Sequence, residues 1–95
     1  MILVVDSGSY KSDWMFRSEG KDFQLRAKGI NPFFTSEKEA IKIVQNIHEI
    51  KPFVNQITEI YYFGSGCNSP DRREIISNSL SHVFPQAFIA RESFL

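Results

Sequence analysis

The hydrophobic positions of this chain change period four times, and the changes mark its elements. Ile2-Leu3-Val4-Val5 is an unbroken apolar run, the pattern of a strand buried on both faces, and it ends on the carboxylate of Asp6. Ser7-Gly8-Ser9-Tyr10 then reads as a turn. From Lys11 to Arg17 apolar and polar residues alternate, predicting a second strand with Trp14 and Phe16 on one face. Ser18 to Asp22 is polar and contains Gly20, so it predicts a hairpin turn, and Phe23 to Ala27 alternates again as a third strand. The chain therefore opens as an antiparallel meander.

Gly29-Ile30-Asn31-Pro32-Phe33-Phe34 has no period. Asn31, placed before a proline, is held away from helical geometry. Ser36 with Glu39 three residues later is a capping box, so a helix starts there. Ala40, Ile41, Val44, Ile47 and Lys51 follow one helical face, with His48 at its rim, and Pro52 is expected to end the helix. Ile57 to Phe63 is a β-branched and aromatic strand, leading into a second Gly/Ser-rich loop, Gly64-Ser65-Gly66-Cys67-Asn68-Ser69. Ser69-Pro70-Asp71 is a helix start, with a hydroxyl N-cap, proline in the first position and an acid in the first turn. Ile75, Ile76, Leu80, Val83 and Phe84 give that helix an apolar face, Pro85 closes it, and Ala87 to Ala90 is a short last strand.

The order is βββαβαβ. The late βαβ units require parallel pairing, so the expected fold is α/β, a five-stranded mixed sheet with helices packed on it. Both Gly/Ser loops follow the C-terminal ends of strands, where open α/β sheets bind ligands.

Composition narrows the function. Ninety-five residues, 42% of them apolar, support a single domain over residues 1–95. Eleven basic residues balance eleven acidic ones, which argues against nucleic acid or an anionic membrane as partner. A single cysteine, Cys67, excludes an intrachain disulfide and a multi-thiolate zinc site, and with no histidine near it in sequence it reads as structural. The apolar opening is too short for a signal peptide and lacks its basic flank, so a cytoplasmic location is expected.

Two chemistries fit the first loop. A glycine-centred turn flanked by Asp6, the hydroxyls of Ser7 and Ser9 and the ammonium of Lys11 suits a phosphate chain and its Mg2+. Asp-Ser-Gly-Ser is equally an ordinary hairpin turn. Neither a Walker loop nor a GxGxxG is present, and spacing alone does not choose.

Three segments together resemble a known family. Asp6-Ser7-Gly8-Ser9-Tyr10-Lys11-Ser12-Asp13-Trp14 resembles the first phosphate motif, Asp-x-Gly-x-Thr-Lys-x-x-Trp, of the actin-like (ribonuclease H-like) sugar-kinase and ATPase superfamily. Gly29-Ile30-Asn31-Pro32 resembles a Gly-x-Asn segment on the sugar side. Tyr62 to Pro70 is similar to a Tyr-Gly-Ala-Gly-Cys loop and the helix start after it. The resemblance is to the N-acetylglucosamine kinase group of the BadF/BadG/BcrA/BcrD ATPase family. It covers the whole chain but only the beginning of a typical member.

The resemblance implies a ribonuclease H-like (actin-like ATPase) half-domain that transfers the γ-phosphate of ATP to an amino-sugar hydroxyl. By it, Asp6 holds Mg2+, Gly8, Ser9 and Lys11 face the phosphates, and Asn31, Gly64, Ser65 and Gly66 lie near the sugar. Two departures stand out. Tyr10 occupies the position of the family's threonine. Where the family has its catalytic Asp, this chain has Glu92, which reads either as a longer-armed substitute general base or simply as an exposed glutamate near the chain end. The second phosphate motif, the adenosine pocket and the second lobe have no counterpart here, so the expected nucleotide affinity of this lobe alone is about millimolar. The alternatives are an assembly module that pairs with another copy or a separate C-terminal lobe, or a remnant without ligand.

Overall fold

A computed structural model describes residues 1–90. β1 (Ile2–Ser7), β2 (Lys11–Ser18) and β3 (Lys21–Lys28) form the meander. α1 (Glu37–Gln45) follows, then a 3-10 helix (His48–Gln56), β4 (Glu59–Gly64), α2 (Pro70–Val83) and β5 (Phe88–Ala90). The five strands form one sheet in the order β3-β2-β1-β4-β5. β1 pairs antiparallel with β2 and parallel with β4, so the sheet is mixed, as the element order requires.

The core lies on one face of that sheet. Leu3 and Val5 from β1, Trp14 and Phe16 from β2, and Ile60 and Tyr62 from β4 join Ala40 and Val44 of α1 with Ile76 and Leu80 of α2. The other face stays open, which corrects the expectation of a first strand buried on both sides. Ile2 is 49% exposed and Asp6 is exposed, while the alternate residues Leu3, Val5 and Ser7 are buried. An apolar run of four cannot tell one covered face from two, because either fate tolerates it. Asp6 therefore meets solvent, and no buried charge has to be compensated.

α1 begins as its capping box dictates. The Ser36 hydroxyl accepts from the Glu39 N–H at 3.2 Å, and the Glu39 carboxylate accepts from the Ser36 N–H at 3.2 Å. Its end departs from expectation, since the α-helix stops at Gln45 and Pro52 lies inside the 3-10 helix. In an α-helix the Pro52 ring would meet the carbonyl four residues back, so the chain leaves α geometry a turn earlier. Ile47, just before the tighter helix, and Ile50 within it are still buried, and His48 is exposed. Phe53 of that helix packs on the β2–β3 hairpin, 4.9 Å from the Phe16 ring and 5.8 Å from the Phe23 ring.

α2 starts where Ser69 caps the Arg72 N–H and Pro70 occupies the first turn. β5 is one residue shorter than expected and starts at Phe88.

Candidate functional site

Parallel pairing of β1 with β4 sets the site. The register runs to Ser7 opposite Gly64, so both Gly/Ser loops leave the sheet side by side. The Ser65 N–H donates to the Ser7 carbonyl at 3.0 Å, one step past the last paired residues. A shallow cleft of about 300 Å3 opens between the loops, lined by Asp6, Ser7, Gly8, Phe63, Gly64 and Ser65.

The turn between β1 and β2 is closed by the Gly8 N–H, which donates to the Lys11 carbonyl at 2.9 Å. That amide is spent inside the turn. Ser9 and Lys11 are exposed beside it, and Tyr10 is 91% exposed and extends away from the core. Asp6 stands on the open face of β1. Directly across from it in the register is Asp13 of β2, whose carboxylate takes the Arg26 Nε–H at 3.0 Å. The sequence reading missed Asp13. The hairpin register could have found it, because a two-residue turn, Ser9-Tyr10, closed between Gly8 and Lys11 sets Ser7 opposite Ser12 and Asp6 opposite Asp13.

The segment from Gly29 to Asn31 is wedged against both loops. A Cβ on Gly29 would lie 2.3 Å from the Gly8 carbonyl oxygen and 2.6 Å from the Lys11 nitrogen, so only glycine lets the backbones approach so closely. The buried Ser7 hydroxyl accepts from the Ile30 N–H at 2.8 Å and lies 3.1 Å from the Ile30 carbonyl. The Tyr62 hydroxyl donates to the same carbonyl at 3.2 Å, and burial pushes its pKa up from the usual tyrosine value. Asn31 reaches both neighbours. Its Nδ2 donates to the Ser9 hydroxyl at 3.0 Å, and Gly66, at φ +79°, passes so near that a Cβ there would fall 1.9 Å from Asn31 Oδ1.

The structure thus brings Asp6, Gly8, Ser9, Lys11, Asn31, Gly64, Ser65 and Gly66 to one end of the sheet. Glu92 lies outside the described residues. Cys67 is buried behind the second loop, and burial pushes its thiol pKa up, with Arg73 opposing, so the thiol is held in its unreactive form. Arg72 lies 4.2 Å over the Phe33 ring and donates to Asn68 at 2.6 Å, tying the start of α2 to the Asn31 segment. No group of three or more metal-ligating side chains occurs among the described residues. No helix among them is long and apolar enough to cross a membrane.

No protein-family model matches the chain, and no curated protein matches it. Among solved structures it is similar to the crystal structure of the "Putative N-acetylglucosamine Kinase" of Porphyromonas gingivalis. The TM-score is 0.81 and the identity 30% over 94% of this chain. The fold is that of a kinase-like half-domain. The chain spans about a third, 32%, of that protein's length.

Proposed function

We propose that this chain is an N-acetylglucosamine-kinase-like ATPase lobe of the BadF/BadG/BcrA/BcrD type, which holds the phosphates of Mg·ATP beside an amino-sugar acceptor. The juxtaposition of the two loops, locked by the Ser65 N–H to Ser7 carbonyl bond of 3.0 Å, is the observation that carries this reading. The similarity to the Porphyromonas gingivalis structure, at 30% identity, supports it.

In this reading Asp6 holds Mg2+, Ser9 and Lys11 face the phosphates beside Gly8, whose own N–H is spent in the turn, and Asn31, Gly64, Ser65 and Gly66 face the sugar. The donor set fits the ligands. Mg2+ is commonly held by one or two carboxylates, with water and phosphate oxygens completing its shell, so a single exposed Asp6 suffices. When bound, the ion offsets charge on the phosphates. The Lys11 ammonium and the Ser9 hydroxyl neutralise and orient phosphate oxygens, and the Gly64–Gly66 loop holds a sugar hydroxyl in line. Positioning and charge neutralisation supply most of the rate in such a transfer. The remainder of the nucleotide site would come from a partner lobe.

The test is a thermal-shift titration with Mg·ATP, with and without N-acetylglucosamine. The melting temperature should rise with millimolar nucleotide and rise further with the sugar. No shift in either arm refutes the reading. The second reading is an assembly module or a ligand-free remnant, and Tyr10 in place of a small hydroxyl favours it. Light scattering across concentrations separates the two, since a module assembles while a remnant stays monomeric.

A further inference from the structure

The hydrogen bonds around Asn31 fix the direction of its amide. Oδ1 accepts from the Phe33 backbone N–H at 2.9 Å, and a backbone N–H can only donate. The other end is therefore Nδ2, and it meets the Ser9 hydroxyl at 3.0 Å. An amide nitrogen only donates, so the Ser9 oxygen accepts and its own proton is not used in this contact.

Asn31 has little freedom to do otherwise. It is 8% exposed, Gly66 crowds its Oδ1, and the Ser7 hydroxyl holds the N–H of the preceding Ile30 at 2.8 Å. Ser9, in contrast, is exposed at the lip of the β1–β2 turn. A hydroxyl that accepts one hydrogen bond becomes a better donor in the next.

We propose that Asn31 is a positioning residue acting through Ser9: by donating to the Ser9 oxygen, it turns the Ser9 proton outward toward an anionic phosphate oxygen at the β1–β2 turn. The inference rests on the phosphate-binding reading above and adds a role for Asn31 on the phosphate side. Through this one side chain, the two halves of the site share a part.

Mg·ATP affinity of the full chain tests it, measured by the ligand-induced change in melting temperature for wild type, Ser9→Ala, Asn31→Asp, Asn31→Ser and the Ser9→Ala/Asn31→Ser double variant. Asn31→Asp keeps the shape and the Phe33 bond but offers Ser9 an acceptor, which turns its proton inward. Asn31→Ser removes the donor without adding charge. Each single variant should bind roughly tenfold more weakly than wild type, the loss expected for one hydrogen bond to a charged group. The double variant should bind no more weakly than Ser9→Ala, because the effect passes through Ser9. Acidification should restore Asn31→Asp relative to wild type as the introduced carboxyl takes a proton and becomes a donor, a response that lost packing would not give. Unchanged affinity in both Asn31 variants, or an equal further loss of affinity when Asn31→Ser is added to Ser9→Ala, overturns the positioning role alone. A wild-type chain that does not bind Mg·ATP overturns it together with the proposed function.

Discussion

The indole N–H of Trp14 donates to the Ser12 hydroxyl at 2.8 Å, and that hydroxyl in turn donates to the Lys28 carbonyl at 2.8 Å. Both side chains are fully buried, so a polar relay crosses the core face of β2 just below the candidate site. It joins the end of β3 to the middle of the hairpin and fixes where the Gly29–Asn31 segment departs.

Ser12→Ala removes the middle of this relay and leaves the indole N–H without an acceptor in a dry core. Urea denaturation should show a loss of about 1–3 kcal/mol, the cost of an unsatisfied buried donor. Trp14 is the only tryptophan, so its fluorescence reports the change at the site of substitution.

Gly66 and Gly20 make a matched pair, since both have positive φ, at +79° and +77°, but only Gly66 has a neighbour in the way of a Cβ. Gly20→Ala should cost about 1 kcal/mol of backbone strain. Gly66→Ala should cost clearly more, because the added methyl meets the Asn31 amide as well. Chemical denaturation of the two variants reads the difference, and equal losses would show that the loop shifts freely away from Asn31.

The meander, the capping box at Ser36 and the helix start at Ser69 were legible in the sequence because each rests on residues within a few positions of one another. Alternation set the strands, but the register that puts Asp6 opposite Asp13 emerged only with the structure. The early end of α1 was not legible, because the apolar spacing of Ala40, Val44 and Ile47 continues smoothly past the break. Only the clash that Pro52 would make a turn upstream reveals it. One-sided burial of β1 escaped for a similar reason: an open sheet face leaves no mark on an apolar run. The site itself was half legible. Glycines and hydroxyls announced two loops, but the contacts that interlock them join residues far apart in sequence, such as Asn31 with Ser9, 22 positions away, and carry no local signal.

Tyr62 predicts a pH response. It is fully buried, and burial raises its pKa above the ordinary tyrosine value of 10.0. The folded state then keeps its proton where the unfolded state loses it. Stability from this group is present below about pH 10 and declines as pH rises beyond that. Tyr62→Phe loses the bond to the Ile30 carbonyl and should cost about 1 kcal/mol at neutral pH. The gap between wild type and variant should narrow above about pH 10 in denaturation experiments, since the variant has no phenol to ionise. A constant gap through alkaline pH would contradict the burial argument.

The central claim is that the β1–β2 turn binds a metal-bound phosphate chain through Asp6. Titration calorimetry of the full chain with Mg·ATP, on wild type and Asp6→Ala, tests it most directly. The account predicts binding at about millimolar affinity for wild type, as expected for phosphate contacts made by this lobe alone, and loss of detectable binding in Asp6→Ala. Equal affinity in the two proteins, or no heat from wild type at several times that concentration, would contradict it.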